Sequence, residues 1–376
     1  MQERNNSKLK FLDFYLGVPL LFGLGLFRRK NKFPDLSDRS REYRVLFIKT
    51  AGIGDTVLLS AIAAELKNNF PNIHIDIICA KGNRAMAELL PDVGHVEVFL
   101  MNRPVESLAK VRDMGEYDLV FDFAPWAHIN AVISYFAKGR YKMGFKRAGQ
   151  YRHYVYDAAA EHTDDCHELD NYRKLLKLLP INIEGFKPRL DSDNQFDHKK
   201  YALKPPAVVF HLYPGGSSAA MRFWAEEKWL ELGRRIYEKY KLDIVLTGGA
   251  EDRDAAEILA ARFITGGVPA VSLAGRMPLG ETIDLLAAAR LLVTVNTGIM
   301  HIGAAAGTEL IALHGATNPK RWGPISDKAT VVTANLPCQH CISLGSEYKC
   351  PEPICMENIS VDMVWAEVRK KLAAEI

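Results

Sequence analysis

The stretch RVLFIKTAGIGDTVLLSAIAAELKNNF, residues 44–70, decides the fold class. It opens with a short apolar run typical of a buried strand, and the glycine-rich turn AGIGDT follows directly. From residue 57 to residue 70 the apolar positions repeat at helical spacing. A strand, a tight turn and a helix in this order predict one unit of a parallel sheet covered by helices.

The same rhythm continues along the chain in two halves. Strand patterns recur in both halves: IHIDIICA (73–80), YDLVFDFAP (117–125), AVVFHLY (207–213), LDIVLT (242–247), RLLVTV (290–295) and LIALHG (310–315). The polar stretch 189–206 between the halves is the best linker candidate. This pattern predicts an α/β protein of two facing, Rossmann-like doubly wound domains, residues 44–198 and 199–358. Ligands of such sheets bind beyond the carboxyl ends of the strands.

The N-terminal segment, residues 1–43, has a different character. Residues 14–27 carry no charge, and Arg28, Arg29, Lys30 and Lys32 follow at once. The apolar run is shorter than the roughly twenty residues that a spanning helix needs. It therefore predicts an interfacial anchor, whose apolar side chains enter one leaflet while the basic group meets anionic headgroups. The alternative is a helix packed on the protein's own surface.

The composition excludes several classes of protein. Of the 376 residues, 48% are hydrophobic and 25% are charged, which excludes a disordered chain and a polytopic membrane protein. The 48 basic residues nearly balance the 45 acidic ones, for a net charge of +3. This balance argues against nucleic acid as a partner.

The first glycine-rich loop contains Gly52, Gly54 and Asp55. It resembles a dinucleotide fingerprint, but Leu58 stands near the place of the third glycine, so NAD binding is weakly supported. Asp55 falls in the first turn of the predicted helix. On spacing alone, it is equally well explained as a functional carboxylate or as an acid that favours the helix dipole.

Two further loops in the second half suit a phosphate group. Gly215, Gly216 and Ser217 allow close backbone approach and offer a hydroxyl, and Arg222 can pair with phosphate through its planar fork.

The third loop, Asn296, Thr297 and Gly298, lies where a strand ends and a small-residue helix begins. Amide groups at such a start form an anion site, to which Thr297 adds a hydroxyl. His301 falls in the first turn on the same side, although a lone histidine is more often a satisfied core residue.

Four cysteines, Cys338, Cys341, Cys350 and Cys355, cluster near the C-terminus. Two close pairs of thiolates suit a tetrahedral structural site for zinc or iron. Free buried thiols are the alternative.

The chain resembles glycosyltransferase family 9, the bacterial ADP-heptose lipopolysaccharide heptosyltransferases. The resemblance lies in IKTAGIGDTVLLSA, HLYPGGSSAAMRFWAEEKW, LTGGAED, NTGIMHIGAAAGTELIALHGATNPKRWGP and the cysteine-containing tail. It covers residue 44 to the C-terminus. It implies the glycosyltransferase B architecture, with the acceptor on the first domain and the nucleotide sugar on the second. A final helix, within 359–376, is expected to cross back to the first domain.

The resemblance also implies roles for the candidate residues. Asp55 corresponds to the family's proposed catalytic base, beside Gly52 and Gly54 on the acceptor side. Glu251 is the expected contact to the nucleotide ribose, with helix N-capping as its alternative. Two positions depart from the family pattern: Arg222 replaces a frequent lysine, and Asn296 replaces an aspartate, which puts the exact donor in doubt.

The sequence therefore predicts an inverting glycosyltransferase that moves heptose or a related sugar from a nucleotide sugar. ADP-heptose is the expected donor, and a lipid-linked lipopolysaccharide core or related surface glycan is the expected acceptor. No cofactor is expected for the chemistry, since Arg222, His301 and the amides near Thr297 can neutralise the leaving diphosphate. The expected location is cytoplasmic, at the inner face of the inner membrane. The alternatives are another nucleotide sugar, a protein acceptor, or a non-catalytic nucleotide-binding assembly protein.

Overall fold

A computed structural model describes residues 7–38, 40–192, 196–201, 203–216, 219–338, 340–342, 350 and 353–373. The chain divides into two compact units, Met1–Pro188 and Arg189–Ile376. Each unit holds one six-stranded sheet, and the strand pairs are parallel throughout. The α/β, doubly wound fold predicted for both halves is thus confirmed.

The sheet of the first unit has the order β3-β2-β1-β4-β5-β6. Its strands are β1 (Tyr43–Ile48), β2 (Ile73–Cys79), β3 (Val93–Val98), β4 (Glu116–Asp122), β5 (Lys138–Lys146) and β6 (Ala158–Glu161). The central strand β1 is apolar and almost wholly buried because helices cover both faces of the sheet. Leu46, Ile48, Ile78 and Val120 form part of the resulting core.

The helices of the first unit begin with one that precedes the sheet. They are α1 (Ser7–Leu26), α2 (Ile53–Asn69), α3 (Arg84–Ala87), α4 (Pro104–Asp113), α5 (His128–Phe136) and α6 (Glu168–Leu176). Among the described residues, no helix is long and apolar enough to cross a membrane. Helix α2 is tied to the chain that follows α6 through Glu65, a fully buried side chain. Its carboxylate accepts the backbone N–H groups of residues 184–186 at 2.8–2.9 Å.

The sheet of the second unit has the order β12-β11-β10-β7-β8-β9, which repeats the topology of the first. Its strands are β7 (Ala207–His211), β8 (Asp243–Thr247), β9 (Ala270–Ser272), β10 (Leu291–Val295), β11 (Leu310–Leu313) and β12 (Ala329–Val332). Its helices are α7 (Glu226–Tyr240), α8 (Arg253–Thr265), α9 (Leu279–Ala288), α10 (Gly298–Ala305), α11 (Pro319–Trp322), α12 (Ile354–Glu357) and α13 (Val361–Ala373).

The last helix, α13, packs within the second unit. Its residue Asp362 pairs with Arg235 of α7 at 2.6 Å, and the Trp365 ring lies 6.1 Å from that of Tyr240. The expectation that this helix also crosses back to the first domain stays a prediction. So do the predicted domain limits, although the observed division after Pro188 precedes the predicted boundary at residue 198.

Candidate active site

Asp55 lies in the first turn of α2, directly beyond the carboxyl end of β1. The chain turns there at Gly52, whose φ of +83° belongs to the left-handed region that favours glycine. A Cβ at Gly52 would lie 2.5 Å from Asp55 Oδ2, so only glycine leaves room for the carboxylate in this position. Gly54 is buried inside the same turn. Gly52 therefore places the acid as well as shapes the turn.

Lys49 holds the Asp55 carboxylate from the buried side. Its side chain is 4% exposed, and Nζ lies 3.0 Å from Asp55 Oδ2. The same ammonium donates to Phe123 O at 3.4 Å and lies 5.3 Å from the ring centre of Tyr172. The Asp55 side chain is 26% exposed, so part of it remains open to an acceptor. Sequence reasoning missed Lys49, although a lysine at the end of an apolar strand is a signal of a buried charge with a partner.

A buried network fixes the loop after β4, which supplies the Phe123 carbonyl. Arg152 and Tyr156 both donate to Asp122 Oδ2, at 2.5 and 2.6 Å. Arg152 also donates to the carbonyl of Ala124. These side chains are inaccessible to solvent, so the network supports the carboxyl edge of the sheet around Lys49 and Asp55 rather than contacting a substrate.

In the second unit, Arg222 joins two loops at the carboxyl edge of the sheet. Its Nη1 donates to Asn296 O at 2.7 Å, and its Nη2 donates to the carbonyl of Gly215. Gly216 has a φ of +91°, and a Cβ there would lie 3.9 Å from Arg222 Nη2, whereas a Cβ at Gly215 would meet open space. Burial lowers the pKa of Arg222 from its ordinary value. The structure therefore brings together the predicted residues Gly215, Gly216, Arg222 and Asn296, while Ser217 lies outside the described residues.

Thr297 and Gly298 form the start of α10, with Thr297 as the N-cap. Thr297 is buried, and its hydroxyl has no hydrogen-bond partner within the described part of the chain. A buried hydroxyl without a partner is costly unless a ligand satisfies it. His301, also buried, follows in the first turn of this helix. The arrangement can bind an anion through the amides, the hydroxyl and the dipole of the helix.

His314 is a second site residue that sequence reasoning missed. It follows β11 and is fully buried, and its ring nitrogens lie 3.2 and 3.3 Å from Asn296 Nδ2. It also contacts Met300 Sδ and Thr317 Oγ1, each at 3.3 Å. Burial above all, and then the charges of His301, His340 and Arg222, lower the pKa of His314 to about 3. A neutral imidazole therefore supports Asn296 in the loop after β10.

Glu251 lies in a short 3₁₀ turn before α8 and is exposed. A Cβ on Gly249 would lie 2.6 Å from Glu251 Oε2, so the carboxylate folds against that glycine. The N-cap position of α8 belongs to the next residue, Asp252, whose side chain makes no capping hydrogen bond to that helix. Its Oδ2 instead accepts the Gly249 N–H at 2.8 Å across the 3₁₀ turn. Glu251 is thus left available at the loop after β8.

The four tail cysteines differ in exposure: Cys338 is exposed, Cys341 and Cys350 are half-buried, and Cys355 is buried. Burial raises the pKa of both Cys341 and Cys355, and neighbouring cysteines add to the shift. In the regions that the structure describes, no three His, Cys, Asp or Glu side chains are grouped so as to hold a metal ion.

Two Rossmann-like domains, each with one parallel six-stranded sheet of the same strand order, are the architecture of glycosyltransferase B enzymes. The sequence pattern of glycosyltransferase family 9 (heptosyltransferase) matches residues 106–351. The chain belongs to this family, as its motifs had suggested.

Several known proteins resemble the chain over most of its length. Lipooligosaccharide heptosyltransferase 2 of Haemophilus influenzae is 26% identical over 312 residues, which cover 77% of this chain and 88% of that protein. Lipopolysaccharide heptosyltransferase 1 of Pseudomonas aeruginosa is 24% identical over 363 residues, or 88% and 98% of the two chains. The structure of ADP-heptose lps heptosyltransferase II of E. coli superimposes with a TM-score of 0.71 at 20% identity, covering 88% of this chain and 99% of that one.

Proposed function

We propose that the protein transfers heptose from ADP-heptose to a lipopolysaccharide core or a related surface glycan, with inversion at the anomeric carbon. The observation that carries the proposal is the Asp55 carboxylate, which Lys49 holds at 3.0 Å while part of it stays open to solvent. This is the geometry expected of a general base that must approach a sugar hydroxyl. The names of the relatives supply the donor and the acceptor.

In the proposed reaction, Asp55 accepts the proton of an acceptor hydroxyl as the oxygen attacks the anomeric carbon. A new carbon–oxygen bond forms, and the bond between that carbon and the phosphate oxygen breaks. ADP leaves with the electron pair of the broken bond. The growing negative charge on its diphosphate meets Arg222, the amides at Thr297 and Gly298, and His301. These protein groups supply the neutralising charge, so we propose no cofactor for the chemistry.

Glu251 is proposed to accept hydrogen bonds from the ribose hydroxyls of the donor. Asn296 is proposed to lie beside the sugar phosphate, where a neutral amide replaces the carboxylate usual in the family. The neutral His314 matches this amide, because a carboxylate at the same place would favour a protonated ring. Asn296 therefore carries no negative charge of its own beside the diphosphate.

We further propose that the acceptor is lipid-linked, and that the protein works at the cytoplasmic surface of the inner membrane. The exposed apolar half of α1, described below, supports contact with a membrane surface.

A structural zinc or iron at Cys338, Cys341, Cys350 and Cys355 also stays a proposal. The thiols would have to lose their protons and close around the ion, and no reaction step passes through it. Elemental analysis of protein purified without chelators decides the matter: zinc or iron at one equivalent supports the site, and its absence removes it.

The function is tested by a donor screen followed by a transfer assay. ADP-heptose and UDP-, GDP- and dTDP-sugars are compared for binding by calorimetry. Each donor that binds is then incubated with heptose-deficient core oligosaccharide, and the product is identified by mass spectrometry. Addition of one heptose from ADP-heptose alone supports the proposal. Binding of a different nucleotide sugar, or of none, would overturn it.

A further inference from the structure

Helix α1 is divided lengthwise into a docked half and an exposed half. At about 100° per residue, Asp13, Gly17, Leu21 and Gly25 fall on one side of the helix, which faces the rest of the first unit. Leu21 is fully buried in a cluster with residues of α5 and of the segment after β5. A Cβ at Gly17 would lie 2.5 Å from the His128 side chain, so the glycine permits this close packing.

Polar contacts lock the docked half in place. Asp13 caps α5 from outside: Oδ2 accepts the His128 N–H and Oδ1 accepts the Ile129 N–H, both at 3.0 Å. At the other end, Arg28 forms a buried ion pair of 2.7 Å with Asp157. Asp157 also accepts the Asn31 N–H at 2.7 Å. With both ends fixed, α1 is part of the first unit rather than a tether.

The other half of α1 is apolar and faces solvent. Its large side chains are 48–68% exposed, and they fall within one half-turn of the helix; they are Phe11, Tyr15, Leu16, Leu20, Phe22 and Leu26. Phe27, just beyond the helix, is 88% exposed. Apolar side chains grouped in this way mark an interaction surface rather than scattered surface residues.

Basic and aromatic residues border this apolar half. Arg29, Lys30 and Lys32 are exposed directly after the helix. Lys30 and Lys146 both lie close enough to His153 for their charges to act on it. Tyr154 is 37% exposed, and its ring lies 6.0 Å from that of Phe22. An apolar face with a basic and tyrosine rim is complementary to an anionic lipid bilayer.

The docked half connects this face to the edge of the sheet that holds Asp55. Asp13 meets α5 at its first residue, just after the loop that follows β4. Two residues further along α5, Asn130 Oδ1 accepts a hydrogen bond of 2.7 Å from Thr50, in the loop that leads to Asp55. The exposed apolar half of α1 and the loop that carries Asp55 are therefore both attached to α5.

We propose that the exposed half of α1, with its basic and tyrosine rim, binds an anionic membrane surface and holds the first domain in one orientation on it. Because α1 is docked rather than tethered, binding presents the carboxyl edge with Asp55 to an acceptor embedded in the same membrane. The orienting role rests on the proposed function; the membrane contact does not. Asp13 is a positioning residue in this arrangement.

The membrane contact is tested by sedimentation of the full chain with vesicles. Leu16→Gln/Leu26→Gln removes two exposed apolar side chains and keeps helix-favouring residues. We expect affinity for phosphatidylethanolamine–phosphatidylglycerol vesicles to fall about tenfold or more. The matched control, Ile258→Gln/Ile264→Gln on α8, alters two equally exposed side chains and should bind as wild type does. Phosphatidylcholine vesicles should bind the wild type much more weakly.

Two results would overturn the membrane contact. One is equal sedimentation of the α1 variant, its control and the wild type. The other is a wild-type dimer that the α1 substitutions convert to a monomer with no change in vesicle binding, since a second copy would then cover the face.

The orienting role is tested by comparing a vesicle-embedded acceptor with its deacylated, soluble form. Asp13→Ala leaves the exposed half intact and should bind vesicles within about twofold of wild type. Its turnover on the embedded acceptor, relative to the soluble one, should fall about tenfold, because orientation is lost. Asp13→Asn keeps one oxygen that can accept one of the two amide hydrogen bonds, whereas its NH₂ group cannot accept the other, so it should restore the ratio only in part. An unchanged ratio in Asp13→Ala overturns the orienting role. Failure of the wild type to use either acceptor overturns the proposed function instead. The membrane contact of α1 is then still tested by the vesicle-binding experiment.

Discussion

Arg222 allows a direct test of the proposed donor-binding site. Its guanidinium donates to the Asn296 carbonyl at 2.7 Å and to the Gly215 carbonyl, so it fixes the loops after β7 and β10. In the bound state its charge is also expected to face the donor diphosphate. A hydrogen bond from a charged donor is worth about 1.5–3 kcal/mol. Arg222→Ala should therefore weaken ADP binding by roughly 10- to 150-fold.

The conservative variant separates charge from geometry. Arg222→Lys keeps a positive charge but cannot donate to both carbonyls in the planar geometry of the fork. We expect its ADP affinity to lie between those of the wild type and Arg222→Ala. Isothermal titration calorimetry with ADP measures all three proteins. Arg234→Ala, on the exposed face of α7, is the matched control and should bind as wild type does. Wild-type affinity in Arg222→Ala would refute the reasoning.

Three further predictions address the acceptor half and the stability of the fold. Gly52→Ala places a side chain at a residue with left-handed backbone conformation and against Asp55. Turnover should therefore fall at least about tenfold, while the affinity for ADP stays unchanged. Normal turnover in a kinetic assay would contradict this prediction. Burial lowers the pKa of His314 from 6.5 to about 3, so protons bind preferentially to the unfolded chain between these values, and the free energy of unfolding should decrease as the pH falls through that window. His314→Gln should show a shallower decrease in urea titrations, and an equal slope would count against the prediction. Glu65→Gln replaces the carboxylate that accepts three backbone N–H groups and should lower the free energy of unfolding by about 2–4 kcal/mol. The exposed control Glu238→Gln should leave the free energy of unfolding unchanged.

The alternation of strands and helices was enough to predict both sheets. A buried parallel strand is a short run of apolar residues, and such a run can be recognised in the sequence. Strand β5, KGRYKMGFK, was missed because charged residues interrupt it and only its second half is buried. The helical spacing of apolar residues begins at residue 57, but helix α2 itself begins at Ile53, and Asp55 lies in its first turn as the sequence predicted.

The candidate site was predicted less completely than the fold. Residues within a motif, such as Gly52 with Asp55 or Thr297 with Gly298, were recognised because their spacing is local. Lys49 contacts Phe123 and Tyr172, far along the chain, and such tertiary contacts leave no local pattern. Helix α1 presented two alternatives, a membrane anchor or a surface helix. The structure shows the packing of one half and the exposure of the other, which no single hydrophobic run could distinguish.

The central claim is that Asp55 removes the proton from the acceptor hydroxyl. Asp55→Asn preserves the size of the side chain but leaves it unable to take the proton. Its control is a calorimetric titration with ADP, which should match wild type because the donor residues belong to the second unit. The decisive measurement is the turnover of Asp55→Asn in heptose transfer from ADP-heptose to a heptose-deficient core acceptor. A decrease of about 10²–10⁴-fold is the predicted result, and turnover close to wild type would contradict the account.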